Sequence, residues 1–154
     1  MTYSAGNGRQ YEFAVEDFTD AVPAMVDILK RNHEELSSFS KAFDPDFRRY
    51  LYIDSQGCLS FISIRYEGEI VGYSLFFIDE SIQQKGEKSA TQSLLFIDKG
   101  HRGIGLAFLR FCDDTFKKMG VNSIWRQSKE EKDVSAVYLR MGYELNEKVF
   151  LKRL

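Results

Sequence analysis

Two cysteines, two histidines and two prolines among 154 residues leave few routes to covalent or metal-based chemistry. Cys58 and Cys112 lie in different apolar segments without a CxxC neighbour and read as reduced core residues rather than a disulfide. With no HExxH and no spaced Cys/His cluster, a zinc site has no ligand set, and no metal is expected. Long apolar runs are missing too. Nothing approaches the ~18 residues that a membrane span needs, and the opening MTYSAGNGRQ lacks the apolar stretch of a signal peptide, so a cytoplasmic protein without membrane contact is expected. The chain also lacks an excess of either charge: 21 Lys plus Arg against 23 Asp plus Glu give a net −2. That balance cannot build the broad positive field of a nucleic-acid binder, and nucleic acid is not expected as a partner.

Apolar and aromatic mass is plentiful. At 44% hydrophobic and 14% aromatic the chain can bury a sizeable core, which excludes the disordered and low-complexity classes, and its length suits one domain. Residues 1–9 lack periodicity and read as a flexible leader, leaving 10–154 as the folded domain.

Alternation at 11–15 suits a strand, and Val22, Met25, Val26, Leu29 and Leu36 then recur at helical spacing, with Asp20 as N-cap and Pro23 in the first turn. A second helix starts at Asp44-Pro45 and ends before Gly57, with Phe47, Tyr50, Leu51 and Ile53 on one face. Strands follow at 59–66, 69–78 and 90–97, the first two joined by a Glu67-Gly68 hairpin and the middle one apolar on both faces, hence central. A helix over 104–119 closes on Lys117, Lys118 and Gly120; then come a strand at 121–127, a short helix at 134–141 capped by Asp133, and a terminal strand pair within 143–151. The order is β-αα-βββ-α-β-α-ββ: a single α/β (α+β) domain, with a mixed central sheet of about seven strands flanked by about four helices. Trp125 reads as core.

Chemistry concentrates at the junction of strand LLFID and helix IGLAFLRF, bridged by Lys99-Gly100-His101-Arg102-Gly103. Gly100, Gly103 and Gly105 let the backbone approach a ligand, the first helical N–H groups form an anion site, and His101 and Arg102 add donors. A tight turn with an exposed basic pair explains the same residues without a ligand. Nucleotide alternatives fail in detail, because Phe108 stands where a GxGxxG fingerprint needs its third glycine and no GK[ST] follows for a P-loop.

Three segments in this order resemble the GNAT family of N-acetyltransferases over roughly 11–154. Glu67-Gly68-Glu69-Ile70-Val71-Gly72-Tyr73 is similar to the family's entry into a central strand, the glycine turn to its pyrophosphate loop, and Val137-Tyr138-Leu139-Arg140-Met141-Gly142-Tyr143 to its LYxxxGF/Y segment. The family loop usually reads Arg/Gln-x-x-Gly-x-Gly/Ala; aligning Gly103 and Gly105 puts Gly100 at the Arg/Gln position, and the alternative alignment shortens the loop by two residues. Within the family, His33-Glu34-Glu35, Phe43-Asp44 and the ending MGYELNEKVFLKRL are most similar to small acetyltransferase-like proteins of bacteriophages.

The resemblance implies an N-acetyltransferase that takes acetyl-CoA as cosubstrate and a primary amine, on a small molecule or a protein, as acceptor; a homodimer is compatible with it. It assigns Phe96, Ile97 and Asp98 to the pantetheine arm, His101, Arg102, Gly103, Ile104 and Gly105 to the phosphates, and Tyr138 to the general acid, with a packed aromatic as the alternative for Tyr138. His33 and Glu34 are candidates for the base or the acceptor side, Asp98 and water being others. The rival reading is a non-catalytic module on the same fold, such as a phage structural or host-protein-binding protein.

Overall fold

The computed structural model describes residues 1–35, 42–130 and 132–152. Its elements are β1 (Thr2–Ser4), β2 (Gln10–Glu16), α1 (Phe18–Glu35), α2 (Phe47–Ser55), β3 (Leu59–Tyr66), β4 (Glu69–Glu80), β5 (Lys88–Ile97), a 3-10 turn (Lys99–Ile104), α3 (Gly105–Lys118), β6 (Ser123–Trp125) and α4 (Ser135–Arg140). Six strands lie in chain order, antiparallel throughout except for the parallel pair β5 and β6. The mixed α/β architecture agrees with the sequence reading, with three corrections to its elements.

Residues 1–9 are not a leader only. Thr2–Ser4 pairs with β2, and the Met1 ammonium donates to the Phe13 carbonyl at 2.7 Å. At the other end, the strand pair expected within 143–151 is absent: no strand follows α4 among the described residues, and Leu145, Val149, Phe150 and Leu151 are 76–89% exposed. β6 is three residues long, which leaves little ladder to template further strands. Finally, α1 starts two residues before the expected cap. Asp17 supplies the cap, its Oδ1 accepting from the Asp20 N–H, and Pro23 falls in the second turn; Leu36 lies outside the described residues.

Two aromatic-rich cores flank the sheet. α3 packs Phe108, Cys112 and Phe116 on Phe13, Ile62 and Phe76, while α1 and α2 cover Phe61, Tyr73 and Leu75 on the other face. Burial pushes the Cys112 thiol up to about 12, so it is inert, whereas Cys58 is exposed rather than core. Trp125 is also a correction: on the last, short strand it is 39% exposed. The motif glycine Gly72 has a packing reason, since a Cβ there would lie 2.8 Å from Ile64 Cδ1 and 3.1 Å from the Phe96 carbonyl oxygen. Glu67 and Gly68 both take positive φ, 52° and 85°, as the tight hairpin requires.

Candidate active site

Ser93 is an extra residue in β5. Leu75 pairs with Leu94 but Phe76 with Gln92, so the ladder to β4 steps over Ser93 in a bulge. The step reverses the strand's facing: Leu95 and Ile97 turn to the α3 side while Phe96 packs under α1 against Tyr73. β6 follows β5 only from Ser89 to Thr91, so among the described residues no strand pairs with 92–97 on that side. Between this open edge, the start of α3 and α4 lies a cavity of about 630 Å³, walled by Leu95, Ile97, Gly105, Leu109, Val137 and Tyr138, with Arg102 also on its lining.

The predicted site residues divide around this cavity. Ile97, Arg102, Gly105 and Tyr138 line it. Phe96 does not line it, its side chain being buried on the α1 side and its backbone paired with Tyr73, and Ile104 is buried beneath α3. Gly103 is exposed, and a Cβ there would meet nothing within 4 Å. Asp98 donates its N–H to the Val71 carbonyl, and its carboxylate pairs with both arms of Arg31 at 2.9 and 3.1 Å, so its charge is already matched on the surface.

His101 points away from the cavity. It shares a hydrogen bond of 3.0 Å with the Tyr11 hydroxyl through Nδ1 and packs against the Tyr11 and Tyr66 rings. His33 is half-buried edge-on to Phe43, at 5.7 Å between ring centres, and Glu34 is exposed; neither lines the cavity. Their neighbour Glu35 does reach its rim, accepting from Arg102 and, at 3.2 Å, from Lys132. Burial alone would raise the Glu35 pKa, but Arg102 and Lys132 hold it below the ordinary carboxylate value. Arg102 also donates Nε to the Ile97 carbonyl at 3.1 Å.

Tyr138 is 6% exposed, and its hydroxyl is buried without a hydrogen-bond partner of good geometry. Burial raises its pKa, against the opposing influence of the adjacent Gln92 amide and of Arg126, so the phenol is protonated at neutral pH. α4 stops at Arg140, with Met141 as its C-cap, because Gly142, at φ 92°, takes the left-handed position that ends the helix.

Sequence reasoning passed over Arg126. Its side chain is 1% exposed and donates to Asp113 at 2.7 Å, to the Tyr143 hydroxyl at 2.8 Å and to the Gln92 amide oxygen. The signal was present, because Arg126 is two residues from the inward-facing Ile124, and a cation on the inner face of a strand needs a reason. Among the described residues no group of three or more His, Cys, Asp or Glu side chains could hold a metal, and no helix is long and apolar enough to cross a membrane.

The sequence profile of the acetyltransferase (GNAT) family matches residues 22–143. Among solved structures, an aminoglycoside acetyltransferase from an uncultured soil metagenomic sample, in complex with sisomicin, superposes with a TM-score of 0.74 at 17% identity, covering 94% of this chain and 96% of that one. Ribosomal-protein-alanine N-acetyltransferase from Brucella melitensis biovar Abortus 2308 gives 0.74 at 15% identity, over 94% and 97% of the two chains. A predicted acetyltransferase from Clostridium acetobutylicum, solved with acetyl-CoA, gives 0.70 at 11% identity, over 93% and 96%. At such identities the likeness is one of fold. No curated protein sequence matches the chain.

Proposed function

The chain belongs to the acetyltransferase (GNAT) family, and from that premise we propose that it moves an acetyl group from acetyl-CoA to a primary amine. The observation that carries this reading is the wedge between β5 and β6, where β6 ends opposite Thr91 and leaves the far edge of β5 bare beside an apolar cavity whose wall includes Tyr138 with its buried, protonated phenol.

Acetyl-CoA supplies the acyl group as a reactive thioester. In this reading the backbone along Phe96, Ile97 and Asp98, on the edge that β6 does not cover, binds the pantetheine arm and polarises the carbonyl, while Arg102 and the backbone of Gly103, Ile104 and Gly105 receive the phosphates. His101 supports that turn through Tyr11 rather than by touching phosphate. As the amine lone pair forms the C–N bond, the C–S bond breaks, and Tyr138 gives its proton to the departing sulfur. The amine loses its own proton to water, with His33 and Glu34 on the α1 side as candidate relays, and Tyr138 is reprotonated from solvent.

Titrating acetyl-CoA against thermal unfolding tests the first half. At about 100 times Kd, linkage gives roughly 2.7 kcal/mol, a rise of several degrees. Release of free thiol from acetyl-CoA with sisomicin, an alanine-terminated peptide and glucosamine then tests transfer. A second reading, a non-catalytic module, is favoured by one contact: Arg102 is already engaged by Glu35. No stabilisation at millimolar acetyl-CoA would select that reading.

A further inference from the structure

The buried cation Arg126 has more partners than packing requires. Its guanidinium lies 5.3 Å from the centre of the Phe76 ring, 5.5 Å from Tyr143 and 5.8 Å from Tyr138, besides its bonds to Asp113, Tyr143 and Gln92. Tyr143 also donates to Asp113 at 2.7 Å, so the salt bridge is closed on itself. Burying an ion pair is expensive, and apolar side chains of similar volume would fill such a space at no greater cost. What these side chains would not do is orient Gln92.

An amide can present either end to a neighbour. Arg126 only donates, so the Gln92 end that faces it is the oxygen, and the NH2 group is what remains for the phenol of Tyr138 beside it. With the oxygen there instead, the phenol would spend its proton on the amide. We propose that Arg126 is a positioning residue for Tyr138: by holding the Gln92 oxygen and backing the phenol ring, it keeps the buried Tyr138 O–H unclaimed by the amide in the wall of the cavity. This rests on the reading of Tyr138 as proton donor. The charges around the phenol are Arg126 and Asp113 behind it and Arg102, Arg110 and Arg140 on the cavity lining, with Tyr143 the adjacent titratable ring. Arg126 and the Gln92 amide both favour the phenolate, so they also make the buried phenol a better acid than burial alone would leave it.

The test needs no acceptor. Protein labelled with 3-fluorotyrosine, whose phenol is more acidic than that of tyrosine, is titrated by fluorine NMR, the Tyr138 signal being assigned from its loss in Tyr138→Phe. Gln92→Met should move the Tyr138 titration upward by about a unit, the size expected for one lost hydrogen-bonding group, while the other tyrosines stay in place. Arg126→Gln should move it further; if that variant fails to fold, Gln92→Met still decides, because it leaves Arg126 its bonds to Asp113 and Tyr143. An unmoved Tyr138 signal, or an equal shift of every tyrosine, overturns the proposal.

Turnover gives the second readout, with whichever acceptor releases thiol from acetyl-CoA. Gln92→Met should lower kcat about tenfold in the native background and leave it unchanged in Tyr138→Phe, because the two act as one unit. Full turnover in Tyr138→Phe would remove the proton-donor reading and leave the NMR result to judge Arg126. Normal loss in Tyr138→Phe with equal further loss on adding Gln92→Met would remove Arg126 alone.

Discussion

The two halves of β5 have contrasting surroundings. Ser89, Ala90 and Thr91 lie between β4 and β6, whereas residues 94–97, beyond the bulge, are paired with β4 alone. Near the closed half, Ala90 is fully buried in a core shared with Phe108, Cys112 and Phe116, so its neighbourhood is maintained by many interchangeable apolar contacts. Near the open half, order depends on a few directed polar bonds, from Arg126 to Gln92 and from Arg102 to Glu35. Substitutions beside the closed half should therefore register in stability and those beside the open half in cofactor binding and turnover.

The largest separation is expected at Tyr138→Phe. Loss of the proton donor should lower turnover by roughly 10²- to 10⁴-fold while acetyl-CoA affinity holds. Stability should fall by no more than about 1 kcal/mol, since the hydroxyl makes no hydrogen bond of good geometry and only the neighbouring Gln92 NH2 faces its loss. Denaturant unfolding beside steady-state kinetics checks both; a large loss of stability with unchanged turnover would make Tyr138 an ordinary core residue.

Phe108→Ala is the mirror experiment. This ring is fully buried, edge-on to Phe13 at 5.4 Å, and its truncation should cost about 3–5 kcal/mol in denaturant unfolding. Below the new melting temperature, the acetyl-CoA Kd should stay within a few-fold. A tenfold loss of affinity in the folded variant would show that the two halves are mechanically coupled.

Gly103→Val asks less of the protein. Its Cβ meets nothing within 4 Å, so stability should move by no more than about 0.5 kcal/mol, while a branched side chain at the phosphate turn should weaken acetyl-CoA at least tenfold. Calorimetric titration supplies the comparison. Unchanged affinity would place the phosphates elsewhere.

The closed half was the legible half. The β-branched and aromatic runs on either side of the Glu67-Gly68 turn located β3 and β4, and the apolar run IVGYSLFFI marked β4 as internal, because burial leaves its trace in composition. The bulge left no such trace. Leu94, Leu95, Phe96 and Ile97 are apolar whichever way each faces, so one inserted Ser93 reverses the strand without altering the pattern. At the turn the glycines and Arg102 were readable, but His101 was claimed by Tyr11 and Tyr66, partners ninety and thirty-five residues away that local sequence does not couple to it. Glu35, not Glu34, reaches the cavity rim, a choice made by helix phase. The terminal strands failed because an apolar alternation needs a neighbour to pair with, and β6 offers three residues.

The smallest effect belongs to the ion pairs across the open half. Arg102 and Lys132, with side chains 48% and 50% exposed, meet the carboxylate of Glu35, and such solvated pairs contribute only about 0.2–1 kcal/mol. Glu35→Gln should thus lower stability by no more than that at pH 7. The folded-state pKa of Glu35 is lowered below its unfolded value near 4.3, so the contribution is complete above that value and vanishes as pH falls through the folded one. The stability difference between wild type and Glu35→Gln should be flat from about pH 7 to 5 and close below about pH 4. Function should move the other way. A carboxylate on Arg102 competes with any phosphate seeking the same guanidinium, and its neutralisation should tighten acetyl-CoA by a few-fold, the worth of one solvated ion pair. Weaker binding in Glu35→Gln would mean instead that Glu35 holds Arg102 in its receiving position, so that the open half, like the closed one, is built before its ligand arrives.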